Sequence, residues 1–188
     1  MAAADIVFFK QPGTRYHSVL DRTDGVRVRL EGGSWNKVGG SAGRVPHDIA
    51  HLLVEEAFGL DRGLWGVLAA GGTVQNASVI AGRQPPHAAA RAEAIVAPAR
   101  AMLQQAEVLV RAVADAALEA RPRDLSAFRA ACGERWWVDG LTADELEHTC
   151  QALQHAGEEW AQVTEGGQHH RRWVEPHRRA HGPRPPRG

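Results

Sequence analysis

Alternating apolar and polar positions near the start of the chain predict β-strands. Residues 5–10 form one short apolar run that Pro12-Gly13 ends. Residues 15–22 and 26–31 flank the turn sequence Thr23-Asp24-Gly25, a strong hairpin pattern. We therefore predict a small antiparallel sheet in this part of the chain.

The turn residues also predict the register of the hairpin. A three-residue loop with Gly25 in the left-handed region places Leu20 opposite Val28, and Asp21 opposite Arg27. This register gives the sheet one apolar and one charged face. The apolar face must be covered, and the following helices are the natural cover.

Helical periodicity replaces the alternation after the hairpin. Pro46 suits the first position of a helix, which we expect to stop at Gly59. A second short segment spans 64–70, and residues 73–87 are predicted to form a loop.

Two longer helical patterns follow. Residues 88–120 are rich in alanine and repeat apolar side chains every seven positions, and Pro98 predicts a kink or a fresh start there. Thr142 and Glu145 predict a capping box that opens a last helix, near 143–164.

These elements predict an α+β fold, with a small N-terminal antiparallel sheet packed against a helix-rich remainder. We expect residues 1–165 to form a single α+β domain. Residues 166–188 are rich in arginine, histidine, proline and glycine, and we predict that they form a disordered basic tail.

Charge and length exclude several classes of partner. Lys and Arg total 22 and are balanced by 22 acidic residues, so no overall field favours nucleic acid or a membrane surface. No segment approaches the length of a membrane span, and the first residues lack the pattern of a signal peptide. Cys132 and Cys150 are expected to be reduced and packed. We expect a cytoplasmic protein whose partner is a small molecule or peptide, and association of identical chains stays open.

The candidate chemistry lies in the helix that follows Pro46. At about 100° per residue, His47, His51, Glu55 and Asp48 fall at roughly 0°, 40°, 80° and 100° around its axis. Histidines spaced i, i+4 can share one divalent metal ion, such as zinc. His47 and His51 are therefore the predicted metal ligands.

The two carboxylates on this stripe are the candidate catalytic residues. Asp48 is a candidate ligand or proton acceptor. Glu55 is two turns from His47, so we expect it to orient His51 through the free ring nitrogen. A third ligand is needed, and His17 and His87 are both candidates that spacing does not separate.

A different class of function fits the same stripe. If it faces solvent or a partner subunit, the protein is a non-catalytic helical interaction or oligomerisation protein. Metal content and the surroundings of both imidazoles distinguish this hypothesis from a metal-dependent hydrolase.

The segment H-D-I-A-H at 47–51 resembles the H-E-x-x-H helix of zinc metallohydrolases, with aspartate in place of glutamate. This resemblance implies a metal-dependent hydrolase.

The same segment resembles the H-D-I-G-H segment of the HD-domain phosphohydrolases, which implies that His47 and Asp48 are ligands. His17 would supply that family's first histidine, and Asp115 or Asp124 its last ligand. The HD fold is all helical, whereas His17 lies in a predicted strand, so the zinc-helix resemblance is preferred.

Residues 14–72 as a whole resemble an uncharacterised bacterial family. That family carries a hairpin, then V-P-H-D-x-x-H-x-x-V-E-x-x-x-G-L and a G-x-W-G segment. This chain has V-P-H-D-I-A-H-L-L-V-E-E-A-F-G-L followed by G-L-W-G. The resemblance implies a shared site without naming its reaction.

Overall fold

The computed structural model describes residues 3–34, 45–119 and 121–177. Its strands and α-helices, with one 3-10 turn at Glu134–Trp136, are in chain order β1 Ala3–Lys10, β2 Arg15–Asp21, β3 Arg27–Ser34, α1 His47–Phe58, α2 Leu64–Ala70, β4 Ala77–Ala81, α3 Ala88–Leu118, α4 Leu125–Cys132, α5 Ala143–Gln162 and β5 Gln168–Val174.

The strands form one antiparallel sheet in the order β4-β3-β2-β1-β5. Alternate side chains of the central strands, among them Ile6, Phe8 and Leu20, are buried in one core with the helices. The predicted α+β class is confirmed.

The predicted hairpin register is also confirmed. Leu20 pairs with Val28, and Asp21 pairs with Arg27. Gly25 has φ 79°, the left-handed conformation that a three-residue loop requires. The apolar alternation therefore determines which face of β2 and β3 meets the helices.

The loop predicted at 73–87 is wrong in its middle, because β4 pairs there with β3. β4 is a short edge strand with no fully buried side chain. Such a strand is stabilised mainly by backbone hydrogen bonds, which do not require an alternating apolar pattern in the sequence. Val79, opposite Val28, and Ala77, opposite Leu30, are its contacts with the core.

The disordered tail predicted from residue 166 is wrong for β5, which pairs with β1 from Ala3 to Phe9. Trp173 is 2% exposed and anchors this strand in the core. The prediction relied on composition, which is polar here. This strand has only one buried side chain, and its other contacts with the edge of β1 are backbone hydrogen bonds. The expected tail beyond residue 177 lies outside the described residues.

The helices lie on the core side of the sheet, and α1 packs against α2, α3 and α5. α1 ends at Gly59 in the left-handed conformation, as predicted. The capping box of Thr142 and Glu145 opens α5. α3 runs without a break through Pro98, so the packing of this long helix outweighs the one missing amide donor.

Cys132 and Cys150, which were expected to be reduced and packed, are free and buried. Within the described ranges, no helix combines the length and the apolar character that a membrane crossing requires.

Candidate metal centre

The polar stripe of α1 faces the interior. Asp48, His51 and Glu55 are 5%, 1% and 0% exposed. These residues make up half of the buried polar side chains in the described part of the chain, the others being Ser18, Gln105 and Thr149. Burying an ionisable group costs free energy unless the group has a polar partner, so each of these side chains should have one. The hypothesis of a solvated stripe does not hold for these three side chains.

Glu55 links His51 to the start of α2. Its Oε1 lies 2.9 Å from His51 Nδ1 and accepts a hydrogen bond from the Leu64 amide at 2.7 Å. Its Oε2 accepts a hydrogen bond from the Trp65 amide at 3.1 Å. The first amides of a helix have no acceptor within the helix, and a carboxylate there is also favoured by the helix dipole. The N-terminus of α2 therefore stabilises the Glu55 carboxylate against His51.

Gly63 makes room for this carboxylate. A Cβ atom at Gly63 would lie 2.2 Å from the Cδ of Glu55, well inside van der Waals contact. The close approach of the backbone at this position therefore requires glycine. A second bond joins the two helices, since Trp65 Nε1 donates to the Asp48 carbonyl oxygen at 2.8 Å.

His47 lies one turn before His51, at the mouth of the site. The two rings meet edge to face, with their centroids 4.5 Å apart. Nδ1 of His47 faces Asp48 Oδ1 at 3.9 Å. Asp48 in turn accepts a hydrogen bond from Ser18 Oγ at 3.5 Å, and its amide donates to the hydroxyl of Tyr16 at 3.2 Å. Strand β2 thus holds Asp48 beside His47.

Glu107 of α3 completes the group from the opposite side. One carboxylate oxygen lies 3.4 Å from His47 Nε2, and the other lies 3.3 Å from His51 Nε2. Both histidines therefore present Nε2 to Glu107 and Nδ1 to a carboxylate of their own helix. A metal-binding histidine commonly has this arrangement, with the second ring nitrogen held by a carboxylate.

The three side chains fit a metal ion in chemistry and spacing. Among the described residues, His47, His51 and Glu107 are the group whose ligand atoms all lie within 4.8 Å of one another. Ligands about 2.1 Å from a tetrahedral zinc ion are separated by about 3.4 Å, close to the two distances to Glu107. His51 Nε2 is buried, and its 3.3 Å contact with Glu107 does not have hydrogen-bond geometry, so this nitrogen is available as a ligand atom.

Without a metal, the contacts among these three side chains shift their pKa values. Burial lowers the pKa of His51, but the contacts with Glu107 and Glu55 outweigh burial and raise it to about 10. The pKa of His47 is also raised, since Asp48 and Glu107 offset its burial. His47 and His51 hold the pKa of Glu107 well below its usual range. The contacts in the metal-free site therefore favour the protonated form of both histidines and the ionised form of Glu107.

The other ligand candidates lie elsewhere. His17 is on the opposite face of β2 from Tyr16 and Ser18, and its ring stacks on Phe9 at 4.7 Å. His87 precedes α3, which puts it 20 residues, or about 30 Å of helix, from Glu107. Neither histidine belongs to the group that could hold a metal.

The two aspartates suggested by the HD-domain resemblance also have other partners. Asp115 pairs with Arg111 at 2.9 Å, and Asp124 caps α4 by accepting from the Ala127 amide at 2.8 Å. The geometry gives no support to the ligand set that this resemblance implies.

Sequence reasoning missed Glu107, although one clue was present. Leu103 and Val110 belong to the apolar repeat of α3, and Glu107 lies at the edge of their stripe, about 40° from Leu103 and 60° from Val110. A carboxylate at the edge of an apolar stripe is a candidate for a functional group. Its pairing with α1 depends on how the two helices pack, which the sequence pattern alone does not determine.

A cleft of about 420 Å³ adjoins the site. His47, Asp48 and Glu107 lie in its wall, together with the amide side chains of Gln75 and Gln104. A small molecule can therefore approach the group from outside the core.

Comparisons of the chain with protein-family models, with curated proteins and with solved structures found no match.

Proposed function

We propose that His47, His51 and Glu107 bind one divalent metal ion, zinc in the first place, and that the protein is a metal-dependent hydrolase. The observation that carries the proposal is His51 Nε2, a buried nitrogen that has no hydrogen bond of good geometry and lies within 4.8 Å of the ligand atoms of His47 and Glu107. Two histidines and one glutamate are also the ligand set of a large class of catalytic zinc sites.

The two remaining carboxylates of the stripe are assigned supporting roles. Glu55 accepts the Nδ1 proton of His51, which keeps Nε2 free for the metal. Asp48 faces Nδ1 of His47 and also lines the cleft. It is therefore proposed both to orient His47 and to accept a proton from a water molecule in the cleft.

The open side of the group supports a catalytic site over a purely structural one. Structural zinc sites are closed by four protein ligands, whereas catalytic sites keep a position for water. Two of the three proposed ligands, His47 and Glu107, line a cleft that a substrate can enter. A zinc ion held by these residues would supply an activated water molecule for hydrolysis.

The alternative of a non-catalytic interaction protein has less support. Among the described residues, the large hydrophobic side chains that are exposed are Ile80 and Val174. They do not form the broad apolar face that a helical pairing surface needs. An ion pair of Glu107 with protonated histidines, without any metal, is the remaining explanation of the cluster.

Metal binding is tested with the metal-free protein and zinc in a competition titration. Glu107→Gln is the sharpest variant, because this side chain is 62% exposed and its loss leaves the core intact. Glu93→Gln is the matched control, as Glu93 is 60% exposed on the same helix. We expect one zinc ion per chain, with affinity more than about tenfold weaker in Glu107→Gln and unchanged in Glu93→Gln. Absence of stoichiometric zinc, or equal affinity in both variants, would contradict the metal site.

The hydrolase is tested separately on protein loaded with cobalt, whose visible spectrum reports coordination. Acetohydroxamate, a chelating ligand small enough for the cleft, should change that spectrum, because one position faces the cleft. Hydrolysis of p-nitrophenyl acetate should require the metal and fall in Asp48→Asn. If the metal binds but acetohydroxamate leaves the spectrum unchanged, the site is closed and structural, and the hydrolase proposal fails.

A further inference from the structure

The cleft beside the metal centre has no lysine or arginine among the described residues that line it. Glu31, Asp48 and Glu107 contribute three carboxylates to the same wall. Three other cavities in the described part of the chain each have at least one arginine in the wall, Arg22, Arg62 and Arg171 among them. The cleft therefore differs from these cavities in the sign of its charge.

Two of the three carboxylates lie next to a proposed ligand. A Glu107 oxygen is 3.4 Å from His47 Nε2, and Asp48 Oδ1 is 3.9 Å from His47 Nδ1. Asp48 is 5% exposed, and the Ser18 hydroxyl that donates to it carries no charge. The two positive charges of a divalent metal, bound by two neutral imidazoles, would thus be balanced by Glu107 and Asp48. The metal then leaves no surplus positive charge to attract an anionic substrate.

Glu31 extends the negative charge to another part of the wall. Its side chain is 50% exposed and accepts a hydrogen bond from Arg29 Nε at 2.6 Å. Glu31 lines the cleft, whereas Arg29 does not. A group bound in the cleft is therefore closer to the negative partner of this pair than to the positive one.

The remaining side chains of the wall are uncharged. Four of them are apolar: Leu30, Leu64, Val74 and Leu103. Three others are carboxamides: Gln75, Asn76 and Gln104. A carboxamide both donates and accepts hydrogen bonds without a charge. This part of the wall is thus suited to the apolar and amide groups of an acylated amine or a short peptide.

We propose that the substrate of this site is an amide or ester whose cleft-bound part carries no negative charge, and that a positive charge there strengthens its binding. The inference rests on the proposed function, since it requires a metal held by His47, His51 and Glu107. Water is the second reactant: its oxygen bonds to the carbonyl carbon, the bond to the amine or alcohol breaks, and the leaving group takes a proton. Phosphate esters and acyl compounds with a second carboxylate lie outside this substrate class.

The test uses the full-length protein loaded with cobalt and four hydroxamates, which all chelate through the same group. Succinic monohydroxamate carries a carboxylate, and the hydroxamate of succinamic acid is its uncharged match of equal size. β-Alanine hydroxamate carries an ammonium group, and butyrohydroxamate has a methyl group in its place. In titrations of the visible spectrum, the succinamic compound should bind at least about tenfold more tightly than the succinic one. β-Alanine hydroxamate should bind at least about threefold more tightly than butyrohydroxamate.

Glu31→Gln locates the origin of this preference. The variant removes one negative charge from the wall, so the ratio of the succinamic to the succinic affinity should fall about threefold. Glu93→Gln is the matched control, because Glu93 is 60% exposed on α3 and does not line the cleft. It should leave the ratio unchanged. The comparison of the four hydroxamates on the wild-type protein needs no variant, so it decides the charge preference even if Glu31→Gln is poorly folded.

The outcomes separate this inference from the proposed function. If the uncharged hydroxamates bind but succinic monohydroxamate binds as tightly as its match, the metal site stands and the substrate class is wrong. A ratio that Glu31→Gln leaves unchanged would also overturn the inference, since the preference would then not come from this wall. If none of the four compounds changes the cobalt spectrum, the inference and the hydrolase fail together.

Discussion

His51 Nδ1 and Glu55 Oε1 lie 2.9 Å apart, and neither side chain is more than 1% exposed. The pair joins the proposed ligand to the first amides of α2, so the orientation of one imidazole depends on the packing of two helices. Substitutions that do not contact the metal should therefore still change the metal affinity of a site at His51.

Glu55→Gln tests this dependence. Three donors converge on the Glu55 carboxylate, whereas an amide offers one acceptor oxygen and turns an NH₂ group toward one of those donors. We expect the free energy of unfolding to fall by about 1–3 kcal/mol. The zinc affinity should fall about 10–100-fold, measured by competition with a chromogenic chelator. Glu158→Gln, at an exposed position of α5, serves as the control. Unchanged zinc affinity in a folded Glu55→Gln protein would remove the orienting role.

Gly63→Ala should displace the Glu55 carboxylate without changing Glu55 itself. The added methyl group overlaps Glu55 Cδ, so Glu55 must move and His51 loses its partner. We expect lower stability and weaker zinc binding. Gly157→Ala is the contrasting variant, because nothing lies within 4 Å of a Cβ at this position in α5. It should instead stabilise the protein, by about 0.5–1 kcal/mol. Equal effects of the two substitutions would show that Gly63 has no special contact.

The stability of the metal-free protein should depend on pH through His51. Its pKa is about 10 in the folded state, against 6.5 when unfolded. A raised pKa stabilises the folded protein fully below about pH 6.5, and this contribution is lost as the pH rises through 10. Urea unfolding in the presence of a chelator should therefore give a falling free energy between these limits. His51→Gln should flatten the dependence, and an unchanged slope in that variant would contradict the assignment.

Trp173→Ala tests the last strand. The side chain is 2% exposed, so its truncation should cost about 3–5 kcal/mol in urea or thermal unfolding. Val174→Ala is the matched control on β5, because Val174 is 39% exposed and should change the stability by less than about 0.5 kcal/mol. If Trp173→Ala is equally mild, residues 168–174 contribute nothing to the fold.

The two cysteines should be unreactive in the native protein. Burial raises the pKa of Cys132 to about 12 and that of Cys150 to about 11, so almost no thiolate exists at pH 8. Iodoacetamide should label neither residue in buffer and both in urea, as counted by mass spectrometry. Rapid native labelling of either thiol would show that it is accessible.

Local patterns predicted the elements that depend on neighbouring residues. The Thr23-Asp24-Gly25 turn determined the hairpin register, and Thr142 with Glu145 marked the start of α5. The expectation that Glu55 would reach His51 followed from their i, i+4 spacing, and the two side chains are in contact. These interactions are encoded within one or two turns of chain.

Features that depend on distant pairing were not predicted. Glu107 meets His51 only because α3 crosses α1, and β5 is a strand only because β1 offers it an edge. A composition rich in arginine and histidine gives no sign of this edge. The roles of Asp48 and Glu55 remain predictions for the experiments above.

The pairing of β5 with β1 has a consequence for the route by which the chain folds. Lys10 donates to the carbonyl oxygen of Trp160, 150 residues away along the sequence, and the two strands close the sheet beside that contact. Closing so large a loop is slow, and until it happens β1 presents an unpaired strand edge. Refolding should therefore pass through a period in which this edge can capture another chain, and aggregation during refolding should increase with protein concentration.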